Sequence, residues 1–167
     1  MELYFLRHAI AEDRTGSRLI SDKDRQLTSK GAKKMECVAK GMKNLELSFD
    51  LVLSSPYLRA KQTAEIVVKS FHLQKALEFS SHLIPEGNPK ELIEELNVSY
   101  HKKKNILLVG HEPFLSSLIS LLVSGKTDMS ITLKKAGLCK LSVERLQYEH
   151  CATMEWLLTP RQIRCLG

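Results

Sequence analysis

The pair Arg7-His8 is the strongest indication of chemistry in the sequence. It directly follows the apolar run of residues 3–6 and precedes the small residue Ala9. A cation and a titratable nucleophile at the end of a buried strand are typical of a catalytic loop, because a rigid strand can position them. His8 is therefore a candidate nucleophile, and Arg7 is a candidate ligand for an anion.

Two later segments supply a second arginine and a second histidine in similar places. Arg59 lies shortly after the apolar run 51–53, and His111 lies shortly after the run 106–109. In an open α/β sheet, ligands bind outside the carboxyl ends of the strands, so we expect these side chains to meet Arg7-His8 at one edge. Arg59 falls in the first turn of a predicted helix and His111 just before another, which favours an anion between them.

The residue types favour a phosphoryl group as that anion. The guanidinium groups of Arg7 and Arg59 can donate forked hydrogen bonds to phosphoryl oxygens, and they stay charged at physiological pH. Nearby positive charge disfavours imidazolium, so His8 is expected to be neutral with a free lone pair. A backbone carbonyl that accepts a hydrogen bond from the other ring nitrogen would fix its tautomer.

The elements that must position these residues alternate along the chain, which predicts an α/β layered domain. Thr28 is a predicted N-cap, and Pro89 and Pro113 occupy predicted first turns. The predicted strands are 3–6, 51–53, 106–109, 138–143 and 153–158, and the predicted helices are 28–45, 57–71, 89–100 and 113–123.

Composition and charge exclude several classes of protein. With 43% hydrophobic and 26% charged residues the chain is neither disordered nor fibrous, and no stretch approaches a membrane span. The net charge of +6 comes from scattered lysines interleaved with glutamate, which argues against a nucleic-acid partner and favours anionic substrates. The N-terminal residues lack a secretory signal pattern, so a cytosolic location is expected. The four cysteines are too widely spaced to predict a zinc site.

Several further motifs occur in order along the chain: Leu6-Arg7-His8-Ala9, residues 24–28 with Gly31, residues 54–65, residues 109–113, and Trp156 with Thr159-Pro160. Together they resemble the motifs of the histidine phosphatase superfamily, also called the phosphoglycerate-mutase-like fold, and within it the SixA-type phosphohistidine phosphatases. The resemblance implies a single histidine phosphatase domain over residues 1–167, with three α/β/α layers and a mostly parallel central sheet.

The resemblance also implies a role for each residue of the predicted site. His8 would be the phosphate-accepting nucleophile, Arg7 and Arg59 would clamp the phosphoryl oxygens, and His111 would stabilise the same group from the opposite wall. Family members are metal-independent and pass through a covalent phosphohistidine that water hydrolyses, so neither a metal nor another cofactor is expected. Ala9 stands where the larger superfamily usually has glycine, a variant that also occurs in SixA-like proteins.

The choice of substrate depends on the general acid. Phosphomonoesterases of the superfamily use a Glu or Asp on a loop after the middle of the chain, and Glu86 is the only carboxylate in the comparable loop, residues 82–89. A P–N bond to imidazole needs less help from an acid than a P–O ester. The expected substrate is therefore phosphohistidine on a signalling or phosphotransfer protein. The alternative enzyme acts on small phosphate esters with Glu86 as the acid, and a non-catalytic phosphoprotein-binding module is disfavoured because all four site residues are present.

Other polar residues near the predicted site have lesser roles. Ser17 and Arg18 lie in the long loop 9–26 and are candidates to touch substrate. Arg25 is expected to tie this loop to the following helix. Ser54 and Ser55 are expected to end a strand and hydrogen-bond the turn, since no nucleophile elbow surrounds them. A monomer is expected at this chain length.

Overall fold

The fold is built on one six-stranded sheet, seen in a computed structural model that describes residues 1–13 and 21–166. The strands are β1 (Glu2–Arg7), β2 (Leu51–Ser54), β3 (Leu77–Phe79), β4 (Asn105–Gly110), β5 (Leu138–Val143) and β6 (Ala152–Leu158). Their order across the sheet is β3-β2-β4-β1-β5-β6. β5 runs antiparallel to both of its neighbours, and the other pairings are parallel. The expected mostly parallel sheet is confirmed.

The helices begin where the local sequence provides caps. They are α1 (Ser29–Asn44), α2 (Leu58–Phe71), α3 (Pro89–Ser99), α4 (Phe114–Ser124) and α5 (Pro160–Arg164). The Thr28 side chain accepts a hydrogen bond from the N–H of Gly31, and Asn88 accepts one from Lys90. Pro113 was expected inside the first turn but precedes α4, after a cis peptide bond. Among the described residues, no helix has the length and apolarity to cross a membrane.

Two short elements were not predicted from the sequence. β3 has three residues, and Glu78 and Phe79 are both exposed, so it lacks the alternation of a half-buried strand. α5 has five residues, but Thr159 and Gln162 form a capping box at its start, which is a recognisable sequence signal. β3 completes the sheet as an edge strand, and α5 packs against α1.

Two hydrophobic cores lie on opposite faces of the sheet, because successive side chains of a strand point to opposite sides. Leu3 and Phe5 of β1 belong to the core that includes α3 and α4, whereas Tyr4 and Leu6 belong to the core that includes α1 and α2. Burying each of these large apolar side chains contributes roughly 1.5–3 kcal/mol. Helices therefore cover both faces of the sheet, and the expected three-layer α/β/α class is confirmed.

The carboxyl ends of β1, β2 and β4 lie side by side at one edge of the sheet. Arg7 pairs with Gly110 in the parallel ladder, and the His8 N–H donates to the Gly110 carbonyl at 3.0 Å. The Ser55 N–H donates to the carbonyl of Val109 at 2.9 Å. The residues that follow the three strands are thereby held next to one another, at the edge where an α/β sheet binds its ligands.

Candidate active site

His8 lies directly after β1 and is only 6% exposed. Its Nδ1 is 2.7 Å from the carbonyl oxygen of Ala9, so this nitrogen carries the proton and donates it. Nε2 is then unprotonated, and its lone pair accepts a hydrogen bond from Nε of Arg59 at 3.3 Å. The ring is therefore held in the tautomer that leaves Nε2 nucleophilic.

Burial lowers the pKa of His8 to about 3, and the charges of Arg59 and Arg7 act in the same direction. The neutral form predicted from the sequence is thus the form found at physiological pH. The cause differs from the prediction, because the loss of solvent around the ring contributes more than the two arginines.

The backbone at His8 is supported from α2 and from the segment before β5. The Ala9 N–H donates to Oγ1 of Thr63 at 3.0 Å, and the same hydroxyl donates to the carbonyl of Arg59 at 2.7 Å. Thr63 is fully buried. From the other side, the N–H of Ala136 donates to the Arg7 carbonyl at 3.0 Å. Thr63 therefore links the His8 loop to the helix turn that carries Arg59, a role that was not predicted.

Arg59 lies in the first turn of α2 and is 4% exposed. Its Nη2 is 2.9 Å from a carboxylate oxygen of Asp22, and its Nη1 donates to the Asp22 carbonyl. The guanidinium carbon lies 5.3 Å from the ring centroid of Tyr57. With one further N–H directed at His8, three of the five guanidinium N–H groups have these partners, and two can bind an anion. Asp22 was not predicted as a partner of Arg59.

Arg25 holds the loop together rather than tying it to the following helix. Its Nε donates to the carbonyl of Glu12 at 2.7 Å, and its Nη1 donates to Asp22 at 2.9 Å. Both partners precede α1, so the expected link from Arg25 to this helix was wrong. The residue after the loop contacts a different helix, because the N–H of Leu27 donates to the side chain of Gln62 on α2 at 2.7 Å.

His111 follows β4 and faces His8, with the two ring centroids 5.1 Å apart. Its Nε2 is 2.9 Å from the hydroxyl oxygen of Ser55. Its Nδ1 is buried and has no hydrogen-bond partner among the described residues. Burial, followed by the neighbouring His8 and Arg59, lowers the pKa of His111 to about 2. His111 is therefore a second neutral imidazole in the site, and only one of its ring nitrogens is occupied.

Arg7 closes the site next to the segment before β5. One Nη donates to the carbonyl of Leu133 at 2.9 Å, and Nε is buried without a partner in the described part of the chain. Burial lowers the pKa of Arg7, and the nearby carboxylate of Glu112 opposes that shift. Arg7 thus keeps N–H groups that an anion beside His8 could accept from.

The other candidates make no hydrogen bond or ion pair to these residues in the described part of the chain, or fall outside it. Glu86 is exposed in the turn before α3. Ser17 and Arg18 fall in residues 14–20, which are not described. No group of three or more His, Cys, Asp or Glu that could hold a metal occurs in the described ranges. A groove of about 820 Å³ between α1 and α2 contains none of the residues that meet at His8.

Comparison with known proteins agrees with this geometry. Residues 3–81 match the model of the histidine phosphatase superfamily, branch 1. An uncharacterized protein of a Picosynechococcus strain is 37% identical over 142 residues, which cover 84% of each chain. Phosphohistidine phosphatase SixA of Escherichia coli is 27% identical over 82% of this chain and 88% of its own.

A solved structure of the protein histidine phosphatase SixA in complex with tungstate superimposes with a TM-score of 0.81. It shares 25% sequence identity, and the alignment covers 96% of this chain and 98% of that one. The paired arginines and neutral histidines at the sheet edge, the family model and these relatives point the same way. The chain belongs to the histidine phosphatase superfamily and is a phosphatase of the SixA type.

Proposed function

We propose that the protein removes phosphate from a phosphohistidine on a protein substrate, through a covalent phospho-His8 intermediate. The observation that carries the proposal is the state of His8: it is buried and neutral, with its proton on Nδ1 and its Nε2 lone pair beside Arg59. The SixA relative is named a phosphohistidine phosphatase, which supports the same substrate here.

The reaction has two displacements at phosphorus. In the first, the hydrogen bond from Arg59 Nε to His8 Nε2 breaks, the freed lone pair attacks phosphorus, a new N–P bond forms, and the bond from phosphorus to the substrate imidazole breaks. The departing imidazole nitrogen takes a proton from solvent. In the second, water attacks the phosphorus of phospho-His8, the N–P bond breaks, and Nε2 recovers its lone pair as inorganic phosphate leaves with the oxygen of water.

Three side chains would stabilise the charge on the transferring group. The Nε of Arg59 lies 3.3 Å from Nε2 of His8, so its N–H, released when the lone pair attacks, is next to the phosphoryl oxygens. Arg7 offers the unpartnered Nε–H, and His111 offers its unpartnered Nδ1. Fixed donors of this kind stabilise a phosphoryl-transfer transition state because they need no reorganisation during the reaction.

The leaving group favours phosphohistidine over a phosphate ester. An alkoxide needs a proton from a nearby acid as it leaves, whereas the P–N bond of phosphohistidine breaks with less help. Glu86, the carboxylate considered for that task, is exposed in the turn before α3. A phosphotransfer protein as partner, a cytosolic location and a monomeric state belong to the same proposal and rest on the sequence.

Trapping the intermediate tests the nucleophile. The protein is incubated with phosphoramidate, quenched at alkaline pH and digested, and the phosphorylated peptide is identified by mass spectrometry. We expect the phosphoryl group on His8, no label in His8→Ala, and normal labelling in the control His101→Ala, whose side chain is exposed on a distant turn. Label on a different residue, or full turnover by His8→Ala, would contradict the mechanism.

A rate comparison tests the substrate class. Turnover of a phosphohistidine-bearing protein domain is measured beside a panel of sugar, nucleotide and amino-acid phosphates, for the wild type and for Glu86→Gln. We expect the protein substrate to be preferred and Glu86→Gln to leave its rate unchanged. A preference for esters together with a steep loss in Glu86→Gln would instead support a small-molecule phosphomonoesterase.

A further inference from the structure

On the basis of the proposed function, we propose that Ser55 is a positioning residue that fixes the tautomer of His111, so that His111 presents an Nδ1–H to the phosphoryl group. Ser55 follows β2, is fully buried, and places its Oγ 2.9 Å from Nε2 of His111. The expectation that Ser55 only hydrogen-bonds the turn accounts for its contact with Tyr57 but not for its contact with the histidine.

The direction of the Ser55–His111 hydrogen bond follows from counting donors and acceptors. A serine hydroxyl has one hydrogen and two lone pairs. One lone pair of Ser55 accepts the backbone N–H of Tyr57 at 3.3 Å. If the hydroxyl donates to Nε2 of His111, its hydrogen is used, Nε2 is satisfied, and the single proton of the neutral ring lies on Nδ1.

The opposite direction leaves two buried groups without partners. If His111 donated from Nε2, the hydroxyl hydrogen of Ser55 would face no acceptor, because both described neighbours of its oxygen would be donors. Nδ1 would then be an unprotonated, buried nitrogen with no partner among the described residues. Nδ1 has no partner among the described residues in either arrangement. The opposite direction therefore adds one unsatisfied buried group, the hydroxyl hydrogen of Ser55, so the arrangement in which Ser55 donates is preferred.

The tautomer decides whether His111 helps or hinders the reaction. A protonated Nδ1 donates a hydrogen bond to a phosphoryl oxygen, whereas an unprotonated Nδ1 would point a lone pair at a negative oxygen. The ring of His111 lies 5.1 Å from that of His8, so a group bonded to His8 is next to the His111 ring. Because burial keeps the ring from taking a second proton, the wrong tautomer cannot be rescued at neutral pH.

The tautomers of the two histidines are therefore fixed by different kinds of hydrogen-bond partner. His8 is held by the backbone carbonyl of Ala9, which no substitution removes. His111 is held by a side chain and can be released by mutation. Ser54 provides a matched control, since it is equally buried but its hydroxyl donates to the carbonyl of Ser55 at 3.0 Å rather than to a histidine.

Nitrogen NMR of histidine-labelled protein measures the tautomer directly, with no substrate and no turnover. In the wild type and in Ser54→Ala we expect His111 to be protonated on Nδ1. In Ser55→Ala we expect the proton to redistribute towards Nε2, and in Ser55→Thr, which keeps the hydroxyl, we expect the wild-type tautomer. We expect kcat of Ser55→Ala to fall roughly 10- to 100-fold, less than for complete removal of a transition-state donor, with a smaller change in KM.

A wild-type His111 that carries its proton on Nε2 would overturn the proposal, and that spectrum needs no variant to fold. An unchanged tautomer in a folded Ser55→Ala, or a wild-type kcat in that variant, would also overturn it. A failure of the proposed function would give a different result. Phosphoramidate would then label no residue, or a residue other than His8, whatever the tautomer of His111.

Discussion

The hydroxyl of Thr63 can be removed with little change of shape by the substitution Thr63→Val. This hydroxyl accepts the N–H of Ala9 at 3.0 Å and donates to the carbonyl of Arg59 at 2.7 Å. In the variant the Arg59 carbonyl keeps its helical hydrogen bond from the backbone of residue 63. The N–H of Ala9 loses its acceptor and stays buried, so one donor next to His8 is left unpaired.

The expected cost follows from that single donor. An unpaired buried N–H destabilises a protein by about 1–3 kcal/mol. With a urea dependence of roughly 1–3 kcal/mol per molar for a small protein, the unfolding midpoint falls by about 1 M. Activity falls as well, because the carbonyl of Ala9 fixes the His8 tautomer. A displacement of the reacting group by about 1 Å can cost roughly 100-fold, so kcat is expected to drop about 10- to 100-fold.

Urea unfolding and steady-state kinetics of Thr63→Val and Thr63→Ser test this reasoning together. Thr63→Ser keeps the hydroxyl and loses a methyl group, so we expect it to keep most of the activity and to lose about 1 kcal/mol of stability. A Thr63→Val protein with the midpoint and kcat of the wild type would refute the role of the hydroxyl. Equal losses of kcat in the two variants would show that packing, rather than the hydrogen bond, supports His8.

Three further predictions concern the buried histidines, the close contact of α1 with the backbone of Ile10, and the guanidinium group of Arg59. Lowering the pH from about 7 to about 5.5 should reduce the free energy of unfolding by about 1.3 kcal/mol for each of His8 and His111, because the unfolded rings take up protons near pH 6.5 and the folded rings, with pKa values of about 3 and 2, do not. Urea unfolding of the wild type and the double His→Gln variant at both pH values measures this difference, and identical pH slopes would contradict it. Gly31→Ala should destabilise the protein by about 1–3 kcal/mol, since its Cβ would lie 2.0 Å from the carbonyl oxygen of Ile10 and α1 would have to move; an unchanged urea midpoint would exclude this close approach. Arg59→Lys should lower kcat/KM by about 100-fold or more, because an ammonium group cannot reproduce the guanidinium fork, and a loss below tenfold in steady-state kinetics would count against that clamp.

The main elements around the site could be predicted because their signals are local. β1, β2 and β4 are short apolar runs that are buried on both faces, and the N-caps Thr28 and Asn88 act on groups within three residues. β3 could not be recognised in the same way, since three residues with two exposed side chains carry no periodic pattern. β3 is a strand because it pairs with the neighbouring strand β2, and its own sequence carries too weak a pattern to show this.

The contacts within the site were less predictable because they depend on tertiary structure. Asp22 reaches Arg59 across 37 positions of sequence, and Ser55 reaches His111 across 56. The neutral state of His8 was predicted in the right direction from the nearby arginines. Its largest cause is burial, which a sequence shows only indirectly, because the solvent around a ring is excluded by residues from several elements.

The support of β1 from the segment before β5 has a consequence for the synthesis of the protein. Arg7 donates to the carbonyl of Leu133, 126 residues later, and the Arg7 carbonyl accepts the N–H of Ala136. The contacts that support the end of β1 can therefore form only after a much later segment has left the ribosome. A nascent chain that already exposes His8 and His111 still lacks this support, so catalytic competence is expected late in translation, only after Ala136 has emerged.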